Sequence, residues 1–150
     1  MKRIIPIILA TVILLNACGP EKGIEIHSAW MRPSAMGENG SVYFELHNHG
    51  STPDEITGIT SDVAEAVEMH ESKMEGDVMK MEMLTSLPID AYADMVFEPG
   101  GLHVMLVNLK QGFKPDDEFQ IVLHFKTHED ITVHVLVKDS APAEEEHTDM

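Results

Sequence analysis

The sequence predicts an all-β domain, built as a sandwich or a barrel. Apolar residues recur at every second position in several short runs, turn residues punctuate those runs, and no long segment repeats at the helical period. Alternation at period two puts successive side chains on opposite faces of a strand. Short strands separated by turn signals are the pattern of sandwiches and barrels.

The elements follow in order. Ile24-Glu25-Ile26-His27 alternates and opens the domain. Residues 41–47 are β-branched and aromatic, bounded by Glu38-Asn39-Gly40 and by the turn Asn48-His49-Gly50. Residues 55–60 alternate again. Residues 62–71 fit a short helix or an irregular strand. Glu75-Gly76-Asp77 has the composition of a hairpin tip, and Met79, Met81 and Met83 share one face of the returning strand. Pro99-Gly100-Gly101 is a tight turn that launches the apolar run 103–107. Residues 110–117 form a turn, and the runs 118–125 and 131–137 alternate strongly. The domain is therefore expected over 24–138. The remainder, 139–150, is acidic and poor in apolar residues, which is the composition of a disordered tail.

The first residues are not fold material. Met1-Lys2-Arg3 is a basic head, and residues 4–15 are apolar except at Pro6 and Thr11. That is a secretory signal over 1–17, too short for the roughly 20 residues a spanning helix needs. Leu15-Asn16-Ala17-Cys18 looks like a bacterial lipobox. It predicts cleavage before Cys18, a lipid on that cysteine, a tether over 18–23, and an extracytoplasmic, membrane-anchored protein. Cys18 is the only cysteine. No disulfide can form within the chain, and the thiolate of a blue-copper site is missing from the domain.

The formal charge is −16. Once Lys2 and Arg3 leave with the signal, 8 basic residues face 26 acidic ones. Such a surface repels phosphate backbones and excludes nucleic acid as a partner. Motifs for catalysis are missing too. The chain has no HExxH, G-x-S-x-G, P-loop or dinucleotide fingerprint, so no enzyme is expected.

The distinctive chemistry lies in two short segments. Ten residues separate His70 from Met81, twenty-one separate Met81 from His103, and one separates His103 from Met105. Thioether sulfur is a soft, uncharged donor suited to Cu(I) and poor for Mg, Ca or Zn. It needs no thiolate, so such a site survives in an oxidising compartment. On a strand, His103 and Met105 project side by side. Methionine also fills cores, but five of the eleven Met fall between Met69 and Met83. Met79 and Met83 rival Met81 as donors. His27, His47, His49, His124, His128 and His134 show no spacing that defines a site. His147 and Met150 put one more imidazole and one more thioether in the tail.

The pattern H-x10-M-x21-H-x-M resembles the periplasmic copper A chaperone (PCuAC) family. Further segments carry the likeness. They are Ala29-Trp30-Met31-Arg32-Pro33, residues 42–48, Glu68-Met69-His70-Glu71, residues 76–81, and residues 98–106 with their Pro-Gly-Gly turn. The resemblance runs from about Ile24 to Lys138. It implies a cupredoxin-like, immunoglobulin-like β-sandwich that binds Cu(I) through His70, Met81, His103 and Met105. It also implies a monomer that passes copper to subunit II of cytochrome c oxidase, at the copper A centre, or to another copper-accepting protein. Two other roles suit the residues: a copper scavenger or buffer, and a metal-independent adhesion or assembly module with the Met stripe as contact patch.

Overall fold

A computed structural model describes residues 23–140. The expected signal, Cys18 and the tail beyond residue 140 lie outside the described residues. Within them the chain forms ten strands and no helix. These are β1 (Ile24–Met31), β2 (Gly40–Asn48), β3 (Asp54–Thr60), β4 (Ala64–Glu75), β5 (Val78–Leu84), β6 (Leu87–Ile89), β7 (Asp94–Phe97), β8 (Leu102–Leu109), β9 (Glu118–Phe125) and β10 (Ile131–Val137). The all-β expectation holds. The ambiguous stretch 62–71 is a turn at 62–63 and strand from Ala64 onward, because β4 finds β8 on one side and β5 on the other.

The strands form one open sheet in the order β5-β4-β8-β7-β2-β1-β10-β9-β3-β6, with β8 also paired to β2. The pairings are antiparallel except β1 with β10 and β7 with β8. β3 and β4 lie far apart in that order, yet they touch. The sheet therefore curls over, and its two halves face each other across the core. β1 makes the bend. Its first residues pair with β2 alone, and Trp30 and Met31 pair with both β2 and β10. Between them the register shifts, and Ser28 takes a φ of 55°. A bulge of this kind bends the strand and adds twist.

Alternation decides the core. On β2, Val42, Phe44 and Leu46 are buried, while Ser41, Tyr43, Glu45 and His47 face the other way. Val104 and Leu106 of β8, Met69 of β4, Ile121 and Leu123 of β9, and Val133 and Val135 of β10 complete the interior. Trp30 is buried outside that cluster. It lies on the outer face, against Tyr43 at 5.0 Å between ring centroids, with the Arg32 guanidinium over its ring at 5.8 Å.

Asp54 ties the start of β3 to the turn that follows its neighbour β9. Its Oδ1 accepts hydrogen bonds from the backbone N–H of Glu55 and Thr127 and from the Thr127 hydroxyl, and its Oδ2 accepts from the His128 N–H. Burial opposes ionisation, but the hydrogen bonds from Thr127, Glu55 and His128 outweigh it and hold the carboxyl below the usual Asp range. A depressed folded-state value stabilises the fold above the unfolded-state value, and that stability is lost as pH falls through the folded-state value. Urea denaturation of the wild type should therefore show stability falling as pH drops below 3.8, the ordinary Asp value. Asp54→Asn should flatten that acid limb. Parallel pH curves for the two proteins would remove Asp54 from the acid response.

Candidate metal centre

The two ligand segments become neighbours through strand register. β4 and β5 form a hairpin whose loop is Gly76-Asp77. Gly76 has a φ of +64°, a positive value at the first loop position that suits a type II′ hairpin turn. β8 starts from the turn Glu98–Gly101, in which the Gly101 N–H donates to the Glu98 carbonyl at 3.1 Å. Pro99 and Gly100, with φ +84°, fill the positions that a type II turn assigns to proline and glycine.

β4 lies between β5 and β8, and His70 pairs with His103 on one side and with Met83 on the other. Met105 pairs with Glu68, and Met81 pairs with Ser72. Paired residues share a face, as do residues two apart along a strand. His70, His103, Met105, Glu68, Met81 and Met83 therefore share the outer face of the sheet. Met69 points the other way, into the core.

The structure thus brings all four sequence-predicted ligands onto one surface, with a difference among them. His70, His103 and Met105 stand in directly adjacent register. Met81 sits diagonally from His70, and Met83 is the residue directly across from it. Diagonal neighbours lie roughly 7–8 Å apart, within reach of a long side chain. Met81 and Met83 are both exposed.

The imidazoles are prepared on their far sides. His103 is buried, and its Nδ1 lies 3.0 Å from the Gly101 carbonyl oxygen. A carbonyl only accepts, so Nδ1 carries the proton and Nε2 presents a lone pair. The Nε2 of His70 lies 2.8 Å from the Glu68 carboxylate, which likewise accepts. The Nδ1 of His70 is then the lone-pair nitrogen, and it is buried with no hydrogen-bond partner. A buried polar atom left unpaired costs about 1–3 kcal/mol. The two rings are 5.7 Å apart between centroids. Metal-binding histidines commonly give their second nitrogen to a carboxylate or carbonyl, which fixes tautomer and orientation. Met105 Sδ, in turn, receives the Asn39 side-chain amide at 4.0 Å.

Glu68 is the functional residue that spacing alone does not single out. Glu-x-His on a strand shows in the sequence that the two share a face. Only the fold shows the carboxylate turned onto the ring. Among the described residues, no three His, Cys, Asp or Glu side chains close around one metal position. A centre here needs its thioethers.

This outer-face arrangement sits on a fold already known from solved structures. The copper-bound PCuAC domain from PmoF2 superposes with a TM-score of 0.65 at 23% identity, covering 79% of this chain and 93% of that one. The Cu(I) form of DR1885 from Deinococcus radiodurans gives 0.59 at 22% identity, covering 79% and 81%. The fold is therefore that of PCuAC domains. Residues 24–137 match the family described as "Putative lipoprotein LpqE-like", and the chain belongs to that family. One relative, "Putative lipoprotein Lxx21020" from Leifsonia xyli, is 27% identical over 126 residues, spanning 83% of this chain and 75% of the relative.

Proposed function

We propose that this protein is an extracytoplasmic, lipid-anchored carrier of Cu(I), with His70, His103, Met105 and Met81 as ligands. One observation carries the reading. Two imidazoles face each other with their outer nitrogens committed and a lone pair left on each, beside a Met in register. That donor set fits Cu(I), and the absence of thiolate keeps the ion exchangeable. The copper-bound state of the PmoF2 domain and the Cu(I) state of DR1885 support the choice of metal. The lipoprotein description of the family and the tetrad at 15–18 support the anchor at Cys18.

The protein carries copper rather than catalysing a reaction. The exposed thioether of Met81 is the side from which an acceptor enters and displaces ligands one at a time. The acceptor we favour is the copper A centre in subunit II of cytochrome c oxidase. Exposure of Met74, Met79 and Met83 on the same hairpin favours a second reading, a metal-independent assembly surface.

Titration with Cu(I) against a chromogenic chelator separates the two. The expected result is one tight equivalent, weakened about tenfold or more, roughly 1.4 kcal/mol, by Met105→Ala and by Met81→Ala. Loss with Met83→Ala and none with Met81→Ala would exchange those two residues. No competition with the chelator would leave the assembly reading in front.

A further inference from the structure

A second cluster of ligand chemistry stands on the outer face of β1, β2 and β7. Register sets Glu25 across from His47, His27 across from Glu45, and Asp94 across from His47. Paired residues share a face, so these five side chains form one patch. His49 joins it just past the end of β2, where its N–H donates to the Gly23 carbonyl. The His47 ring lies 5.6 Å from that of His27 and 6.0 Å from that of His49, between centroids.

Two of the ring nitrogens converge, and the third ring stands beside them. His27 Nε2 and His49 Nε2 approach the same atom, Glu25 Oε2, at 3.4 and 3.1 Å. His47 Nδ1 meets Asp94 Oδ1 at 2.7 Å, and its Nε2 lies 3.7 Å from Glu45 Oε2. The hydrogen bond from His27, with help from His49, holds the Glu25 carboxyl below the usual carboxylate range.

We propose that His27, His47, His49 and Glu25 form a second metal site, for a borderline divalent cation of the Zn(II) or Cu(II) class. Imidazole with carboxylate suits those ions, whereas imidazole with thioether suits Cu(I). Asp94 accepts from Nδ1 of His47 and leaves Nε2 open, as carboxylates behind metal-bound histidines do. The four groups do not enclose a common centre as they stand. Bonds of about 2.0–2.1 Å require rotation of His27 and His49, and both are exposed. An overall charge of −16 draws cations toward the surface.

The site is separate from the first. Ser41 pairs with Met105, and His47 lies six residues further along β2. That is roughly 20 Å of strand, with the Trp30–Tyr43 pair between. One face therefore carries a soft centre and a harder one.

Zn(II) is the probe, because it is redox-silent and ill suited to thioethers. The full chain, purified in detergent, is titrated with Zn(II) against a fluorescent chelator while histidine ring signals are followed by NMR. One equivalent is expected, shifting the rings of His27, His47 and His49. Its affinity should fall about tenfold or more in the His47→Gln, His49→Gln double variant and persist in the His70→Gln, His103→Gln double variant. Three results would each overturn the proposal: unchanged affinity in the first variant, loss in the second, or wild-type shifts confined to other histidines. The wild-type ring shifts decide the matter even if a variant folds poorly.

Discussion

His103→Ala is expected to lower Cu(I) affinity by about 100-fold or more, close to 2.7 kcal/mol. The reason is the unequal commitment of the donors. Met81 is exposed on an edge hairpin, and Met83 stands two residues away on the same face. A neighbouring thioether can take over part of its role. His103 has no such substitute. Its ring is buried, its Nδ1 is tied to the Gly101 carbonyl, and its partner across the register is His70. Removing it leaves one imidazole facing an empty place. The measurement is chelator competition on the purified protein, with thermal unfolding of the metal-free form beside it. His103→Gln is the second variant, since it keeps polar volume in the buried position without an imidazole nitrogen. A loss below about tenfold in both variants, with unfolding unchanged, would return His103 to a packing role.

The same inequality shows which features were readable in one dimension. The hairpin tip at Gly76, the turn at Pro99 and the alternation on β2, β8, β9 and β10 are local signals, and each appears where its composition places it. Residues 62–71 were ambiguous because Ala64, Glu65 and Ala66 suit a helix as well as a strand. Pairing with β5 and β8 decides against helix there, and tertiary context routinely overrides a weak propensity. The spacing H-x10-M-x21-H-x-M singles out Met81 through a family likeness, while the register puts Met83 nearest His70. Spacing cannot see that difference, because it depends on how the hairpin is paired. The completion of the His27, His47 and His49 patch is hidden for a related reason. His47 and His49 are a local pair two residues apart, but His27 and Asp94 join them only across the β1–β2 and β2–β7 pairings, which no local motif marks.

Phe44→Ala should destabilise the metal-free protein by about 3–5 kcal/mol, the usual cost of emptying a buried aromatic position. Phe44 is 2% exposed, and its ring stacks on Phe97 at 4.1 Å with an interplanar angle of 23°. Such a pair adds about 0.5–1.5 kcal/mol beyond area burial. The position also matters for the metal centre. β2 pairs with β1, β7 and β8, and Gly40, Ser41 and Val42 hold β8 at Leu106, Met105 and Val104. The lost aromatic therefore weakens the strand against which Met105 is set. Domains of this size are stable by about 5–15 kcal/mol, so the variant would keep only part of its margin. On the proposed assignment Cu(I) binds the native state through residues on three strands, β4, β5 and β8, and it should restore part of that loss by mass action. Urea denaturation with and without Cu(I) tests both statements. The expected pattern is a large fall in midpoint, an unchanged slope, and partial recovery with Cu(I) that disappears in the Phe44→Ala, His103→Ala double variant. A cost under about 1 kcal/mol, below the range for large-to-small core changes, would mean that the Phe44–Phe97 stack does not anchor β2. Recovery that survives removal of His103 would place the stabilising copper elsewhere.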